Sequence, residues 1–301
     1  MRGDTRASLR LLFPQWQGTP AGVLHDRLPD LAVEQVLDGQ RLGGRLLQVL
    51  APESTTPTAE VPVATSRNGL AVSDGIYARD AVLTQLQAAL QIVAERDPRR
   101  ILTLGGDCSV SIAPFAHLAG VYGDDLAVIW LDANPDLTTP GDVYTGFHAM
   151  AAATLLGVGD ADATRALPAL LEPHQMLVVG QRGADDEAVA RQRELGIASL
   201  GPADVAQDSS AVLAWLRASG ASRVAIHVCL DVLAAGELDG AARGAAPVGG
   251  AAAAHGLRLA ELVRIIGDVA EPVTVVGVTI ADHLPRVEIL LRDFLRRLPL
   301  R

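Results

Sequence analysis

Short runs of mostly apolar residues recur along this chain at strand length: Ile101 to Leu104, Leu126 to Leu131, Met176 to Val179, Val224 to Val228 and Val273 to Val278. Each is followed within a few residues by Gly, Asp or Asn. A run that is apolar on both faces suits a central parallel strand covered by helices on each side. Helical patterns lie between the runs. Val82, Leu86, Ala89, Leu90 and Val93 recur at helical spacing, with Asp80 placed to cap the helix and Pro98 just past its end. Ser209 or Ser210 precedes Val212, Leu213, Trp215 and Leu216, and Leu257 to Val269 and Val287 to Leu298 repeat the pattern. Strands alternating with helices require right-handed crossovers. The expected fold is therefore a three-layer α/β/α arrangement around a mainly parallel, doubly wound sheet, formed by residues 1–301 as a single domain. Pro52 to Ser66 and Ala234 to Ala254 are read as loops.

Charge narrows the partners. With 25 Lys and Arg against 35 Asp and Glu the formal net charge is −10. That repels nucleic-acid backbones and anionic membranes, so neither is expected as the main partner. No apolar run approaches the ~20 residues that a bilayer crossing needs. Leu11, Leu12 and Phe13 are too short a stretch for a secretory signal. Two cysteines provide no disulfide framework, so the chain is expected to be a reduced cytoplasmic protein.

In a doubly wound sheet the site lies at the carboxyl ends of the strands. Three such ends carry acids: Gly105-Gly106-Asp107-Cys108-Ser109, Asp132-Ala133-Asn134-Pro135-Asp136 and Cys229-Leu230-Asp231-Val232-Leu233. Residues i and i+2 of an extended segment share a face, so Asp132 and Asn134 project together and a turn after Pro135 returns Asp136 toward them. Converging carboxylates repel unless they are protonated or neutralised by a cation, and a divalent metal is the ordinary solution.

The ordered set resembles the arginase, agmatinase and formimidoylglutamase family, the ureohydrolases. Their three strand ends read Gly-Gly-Asp-His-Ser, Asp-Ala-His-x-Asp and Ser-x-Asp-x-Asp-x-x-Asp-Pro. Thr145-Gly146-Phe147-His148-Ala149-Met150 is similar to the family's Ser-Gly-x-x-His-Gly segment, Gly180-Gln181-Arg182 to its Gly-x-Arg loop, and His255-Gly256-Leu257 to its Pro-Gly-Gly-Leu. The resemblance implies an arginase-like fold, trimeric or hexameric homo-oligomers, and a pair of manganese ions that activate water against a guanidinium carbon.

Carried over position by position, the resemblance implies an altered metal site. Asp132, Asp136 and Asp231 match carboxylate ligands, while Cys108 and Asn134 stand where the family has histidines and Leu233 where it has an aspartate. One ion would keep Cys108, Asp132, Asp136 and Asp231. The other would keep only the shared carboxylates, so at most one divalent metal (Mn, Zn or Fe) is expected, or none, and a dinuclear manganese centre is not. His148 matches the proton-shuttling histidine and, with Asp136, makes up the catalytic set. Asn134, Thr145, Asp185 and Asp282 are the candidate substrate contacts. The family's guanidinium-binding carboxylate falls at Thr279 by direct matching, or at Asp282 by a shifted loop. The implied function is hydrolysis of a guanidino, hydroxyguanidino or related C–N substrate. The alternatives are a repurposed metal-free enzyme of a specialised pathway, with Cys108 as one conceivable nucleophile, and a non-catalytic ligand-binding or partner subunit.

Overall fold

A computed structural model describes residues 8–182, 186–237 and 256–286. Its strands are β1 (Ser8–Phe13), β2 (Thr58–Glu60), β3 (Val72–Ser73), β4 (Ile76–Tyr77), β5 (Arg100–Gly105), β6 (Leu126–Leu131), β7 (Met176–Val179), β8 (Ala198–Leu200), β9 (Arg223–Cys229) and β10 (Thr274–Ala281). Its helices are α1 (Ala21–Arg27), α2 (Val33–Leu50), α3 (Arg79–Arg96), α4 (Ile112–Tyr122), α5 (Ala151–Leu155), α6 (Ala161–Ala166), α7 (Asp186–Leu195), α8 (Pro202–Val205), α9 (Ser210–Ser219) and α10 (Leu259–Ala270). Eight strands form one sheet in the order β2-β1-β5-β10-β9-β6-β7-β8, and every pairing in it is parallel. β3 and β4 make a small separate hairpin whose Asp74-Gly75 turn has both residues at positive φ, the geometry that matches strand twist.

The alternation of side chains along each strand creates the layers. Val128, Trp130, Val178 and Ala225 face one apolar cluster with Val82, Leu86 and Val93 of α3 and Phe115 and Leu118 of α4. Their neighbours Ile129, Leu131, Val179 and Ile226 face the opposite cluster with Val212 and Leu216 of α9 and Leu262, Ile265 and Val269 of α10. The fold is thus the expected three-layer α/β/α arrangement. A smaller cluster of Trp16, Leu24, Leu31, Val36, Leu37 and Leu284 joins α1 and α2 to the segments leaving the carboxyl ends of β1 and β10.

The structure adds what the periodicity had not assigned. Ser8–Phe13, read only as too short for a signal, is a strand paired along its whole length with β5. The segment Pro52 to Ser66 contributes β2 at the sheet edge through three register pairs with β1. Asp80 does not cap α3. The cap position is Ala78, in the left-handed region, and Asp80 lies in the first turn, where the helix dipole favours an acid. The proposed helix Val287 to Leu298 and most of Ala234 to Ala254 fall outside the described residues.

One close approach positions the site. A Cβ on Gly43 of α2 would lie 1.7 Å from the backbone oxygen of His283, next to Asp282. Gly43→Ala must push the helix off the segment that leaves β10. The expected cost is at least about 3 kcal/mol, the upper end for overpacking, read as a lower denaturant midpoint. An unchanged midpoint would show that this contact is slack.

Candidate active site

Each strand end is shaped before it offers a ligand. Beyond β5 the chain has no room for a side chain at Gly106, where a Cβ would sit 1.6 Å from the Gln15 carbonyl oxygen. The Asp107 carboxylate accepts from the Gly18 N–H at 2.9 Å, the Ser109 N–H at 3.1 Å and Gln15 Nε2 at 3.2 Å. Burial raises Asp107 to about 6 even though these donors favour its anion. Asp107 is therefore committed to tying the segment after β1 to the turn that presents Cys108. Beyond β6, Asp136 has φ +50°, and beyond β10, Asp282 has φ +64°. Two aspartates held in the left-handed region mark where the backbone is bent to aim carboxylates inward.

These bends converge. Ligand atoms of Cys108, Asp132, Asp136 and His227 all lie within 4.8 Å of one another, and those of Asp132, Cys229 and Asp231 form a second such group sharing Asp132. All of these residues are buried. The Cys108 thiol is 3.7 Å from Asp132 Oδ2, and His227 Nε2 is 3.4 Å from the same oxygen. Asp231 has other commitments, accepting from the Ala133 N–H at 3.3 Å and from Asn134 Nδ2 at 3.4 Å. Among the described residues, Asp136 Oδ2 and His227 Nε2 are fully buried without a well-formed hydrogen bond, the Nε2 facing Asp132 Oδ2 at 3.4 Å and the Asp136 carboxyl lying near the Trp130 side chain.

The electrostatics follow from crowding acids away from water. Burial raises Asp132 to about 6 against the Asn134 N–H, which donates to it at 2.8 Å. Burial and the neighbouring Asp132 charge raise Asp231 to about 7. Asp136, buried with Asp132 and Asp231 beside it, is held well above the usual carboxylate range. His227 goes the other way: burial lowers it to about 3, so its ring is neutral. Ser111 Oγ lies 2.8 Å from its Nδ1 and the Trp130 ring stacks on it at 3.8 Å, which together fix the ring. A neutral, oriented imidazole with a free nitrogen is a ready metal ligand. The Cys108 thiol, despite a hydrogen bond with Cys229 that lowers it, is pushed well up by burial and by Asp136 and Asp132. A thiolate nucleophile needs the opposite shift.

The remaining expected residues divide by position. Thr279 is wholly buried inside β10, in register with His227 and Thr103, so it sits beneath the cluster. Asp282, at the strand's exit, reaches the acids instead. It pairs with Arg27 at the end of α1 and accepts from Gln40 Nε2 of α2 at 3.3 Å. His148 is half-buried, with Nε2 2.6 Å from Tyr144 Oη. Burial and the Arg27 charge lower it to about 4. Thr145, whose carbonyl accepts from the Tyr77 N–H at 2.8 Å, anchors the same loop. Arg182 donates to the carbonyl oxygens of Val232 at 2.9 Å and Leu233 at 3.2 Å, and also to that of Asp231, clamping the third strand end. The Leu233 side chain packs in the apolar cluster behind the sheet. Asp185 lies outside the described residues. Neither Arg27 nor His227 has a role assigned from sequence; the signals for His227 are a polar residue inside an apolar strand and a face shared with Cys229 two residues on.

Residues 39–289 match the sequence profile described as "Arginase family". Among sequence relatives, an arginase of Coccidioides posadasii is 32% identical over 120 residues, 36% of this chain and 37% of that protein. The first relatives are thus matched over little more than a third of their length. An arginase of Schizosaccharomyces pombe is 26% identical over 256 residues, 82% of this chain and 75% of that protein. Among solved structures, the Entamoeba histolytica arginase in complex with L-ornithine superposes with TM-score 0.75 at 18% identity, covering 96% of both chains. The Bacillus caldovelox arginase does so with TM-score 0.67 at 23% identity, covering 98% of both.

Proposed function

The chain belongs to the arginase family, and from that premise we propose that it hydrolyses a non-peptide C–N bond of a small-molecule substrate with one divalent ion held by Cys108, Asp132, Asp136 and His227. The observation that carries this reading is the pair of orphaned atoms, Asp136 Oδ2 and His227 Nε2. Among the described residues both are buried polar atoms without a well-formed hydrogen bond, grouped with the thiol and Asp132 within ligand reach. An unpaired buried polar atom is costly, and a cation answers for both at once. The donor set of one thiol, one imidazole and two carboxylates suits Zn²⁺ or Fe²⁺ better than Mn²⁺. A second ion would find fewer donors, because the Asn134 amide is spent on Asp231 and Leu233 packs in the apolar layer, which leaves the smaller group of Asp132, Cys229 and Asp231.

When bound, the ion supplies Lewis acidity for activating water. The chain's own residues do the rest. His148, hydrogen-bonded to Tyr144, is the residue assigned to relay a proton, and its pKa lowered to about 4 makes it a weak base whose protonated form gives its proton up readily. Asn134 and Thr145 lie half-buried, where a substrate's polar groups can be oriented. A cytoplasmic homo-oligomer completes the proposal. One observation favours a second reading, a metal-free ligand-binding member of the family: Arg27 already supplies a buried positive charge to the acids.

Metal content decides between them. Protein purified without chelator should hold one ion per chain, and Co²⁺ loading should give a thiolate charge-transfer band that disappears in Cys108→Ser. His227→Ala should weaken binding by at least about tenfold, the lower end for disturbing a metal's surroundings. Two tightly held ions, or none after Zn²⁺ addition, would overturn the assignment.

A further inference from the structure

An arginine is seldom buried unless it is paired, and Arg27, 6% exposed, has its guanidinium against Asp282 with the Asp231 charge acting on it. Nη1 pairs with Asp282 Oδ2 in a contact where both side chains are sealed from solvent. The other oxygen of Asp282 accepts from Gln40, and Cys229 Sγ lies 3.8 Å from Oδ2, so both carboxylate oxygens already have partners within the chain. The pair closes across the whole chain, from α1 to the exit of β10, with α2 pressed against the same exit at Gly43. Arg27 Nε is buried and has no acceptor among the described residues.

We propose that Arg27 is the site's resident guanidinium: it fills, from within the chain, the cation position at Asp282, and so restricts the site to substrates that present a hydrogen-bond acceptor there, a carbonyl or carboxylate, rather than a guanidinium. A planar, permanently charged fork matched to a carboxylate is the side chain best suited to holding such a position. Its unsatisfied Nε is the donor that an incoming acceptor would meet. Arg27 offsets one of the negative charges of Asp132, Asp136, Asp231 and Asp282, which leaves less for bound cations to neutralise. The inference rests on the proposed hydrolase reading only for the bond that reacts; the occupancy of Asp282 stands independently of any metal.

The test uses the full chain as wild type, Arg27→Ala, and Arg27→Ala combined with Asp282→Asn. Methylguanidinium at low millimolar concentration is the probe, and urea is its uncharged isostere. Calorimetric titration and melting temperature are the readouts. Methylguanidinium should bind Arg27→Ala at least about tenfold more tightly than wild type, raise its melting temperature, and lose both effects in the double variant; urea should do neither. Equal binding to wild type and Arg27→Ala would overturn the proposal, as would a folded Arg27→Ala chain that binds none. Should that variant not fold, the wild type decides by NMR. Slowly exchanging Arg27 guanidinium protons should be unmoved by methylguanidinium, and their displacement would overturn the proposal. Zn²⁺ titration of the same samples reports separately on the hydrolase reading: a wild type that refuses the metal sinks that reading and leaves the guanidinium result untouched.

Discussion

Asp132→Asn is expected to lower divalent-ion affinity by more than about 100-fold, the upper end for disturbing a metal's outer contacts, because Asp132 is the one residue shared by both ligand groups. The substitution keeps the shape and the acceptor that faces the Asn134 N–H, so the loss reports on charge rather than on collapse. It also has a pH signature in metal-free protein. The folded Asp132 pKa is raised to about 6, so between about pH 4 and 6 the folded state holds more protons than the unfolded one. Stability then falls as pH rises through that window, and the penalty is complete above it, on the order of 3 kcal/mol for this residue. Chelator-treated wild type should therefore be less stable at pH 8 than at pH 5, whereas Asp132→Asn should lose much of that slope and be the more stable chain at pH 8. Adding Zn²⁺ should reverse the order. Denaturant titrations at both pH values, with and without metal, measure all of this, and a wild type equally stable at both would remove the crowded-acid account.

Saturated with Mn²⁺ and supplied with arginine or agmatine, the chain is expected to release urea at least about 1,000-fold more slowly than the 1 to 10³ per second of ordinary enzymes. Three features act together. Asn134 and Leu233 stand where the resemblance implies donors for a second ion, the group around Asp132 contains a thiol and an imidazole that favour softer metals, and Asp282 is paired with Arg27. Stopped assays of urea formation with Mn²⁺, Zn²⁺ and Fe²⁺ provide the measurement. Turnover in the ordinary range with any of them would overturn the assignment of Arg27 as the resident partner of Asp282.

The sequence by itself determined the layers and the edge at which the chemistry sits. Strands apolar on both faces need cover on both sides, and Leu126–Leu131 and Met176–Val179 carry that requirement in consecutive residues, so their positions could be read directly. Asp132, Asp136 and Asp231 could be placed together for the same reason, since parallel strands end on one side and a turn can only return to it. Short edge pieces such as β2 were not legible, because three residues in a Thr- and Pro-rich stretch carry no periodicity and become a strand only through β1. Nor was the choice between Thr279 and Asp282, which depends on where β10 stops and on a left-handed residue just beyond it. Only the tertiary structure decided the partners of the acids. His227 joins them because the register of β9 against β6 sets it beside Trp130 and below Asp132, and Arg27 joins them across 255 residues of sequence. No local pattern encodes that meeting: a buried charge finds its counter-ion through packing, and the segment that carries the guanidinium is brought to the carboxylate by the apolar contacts of α1 and α2.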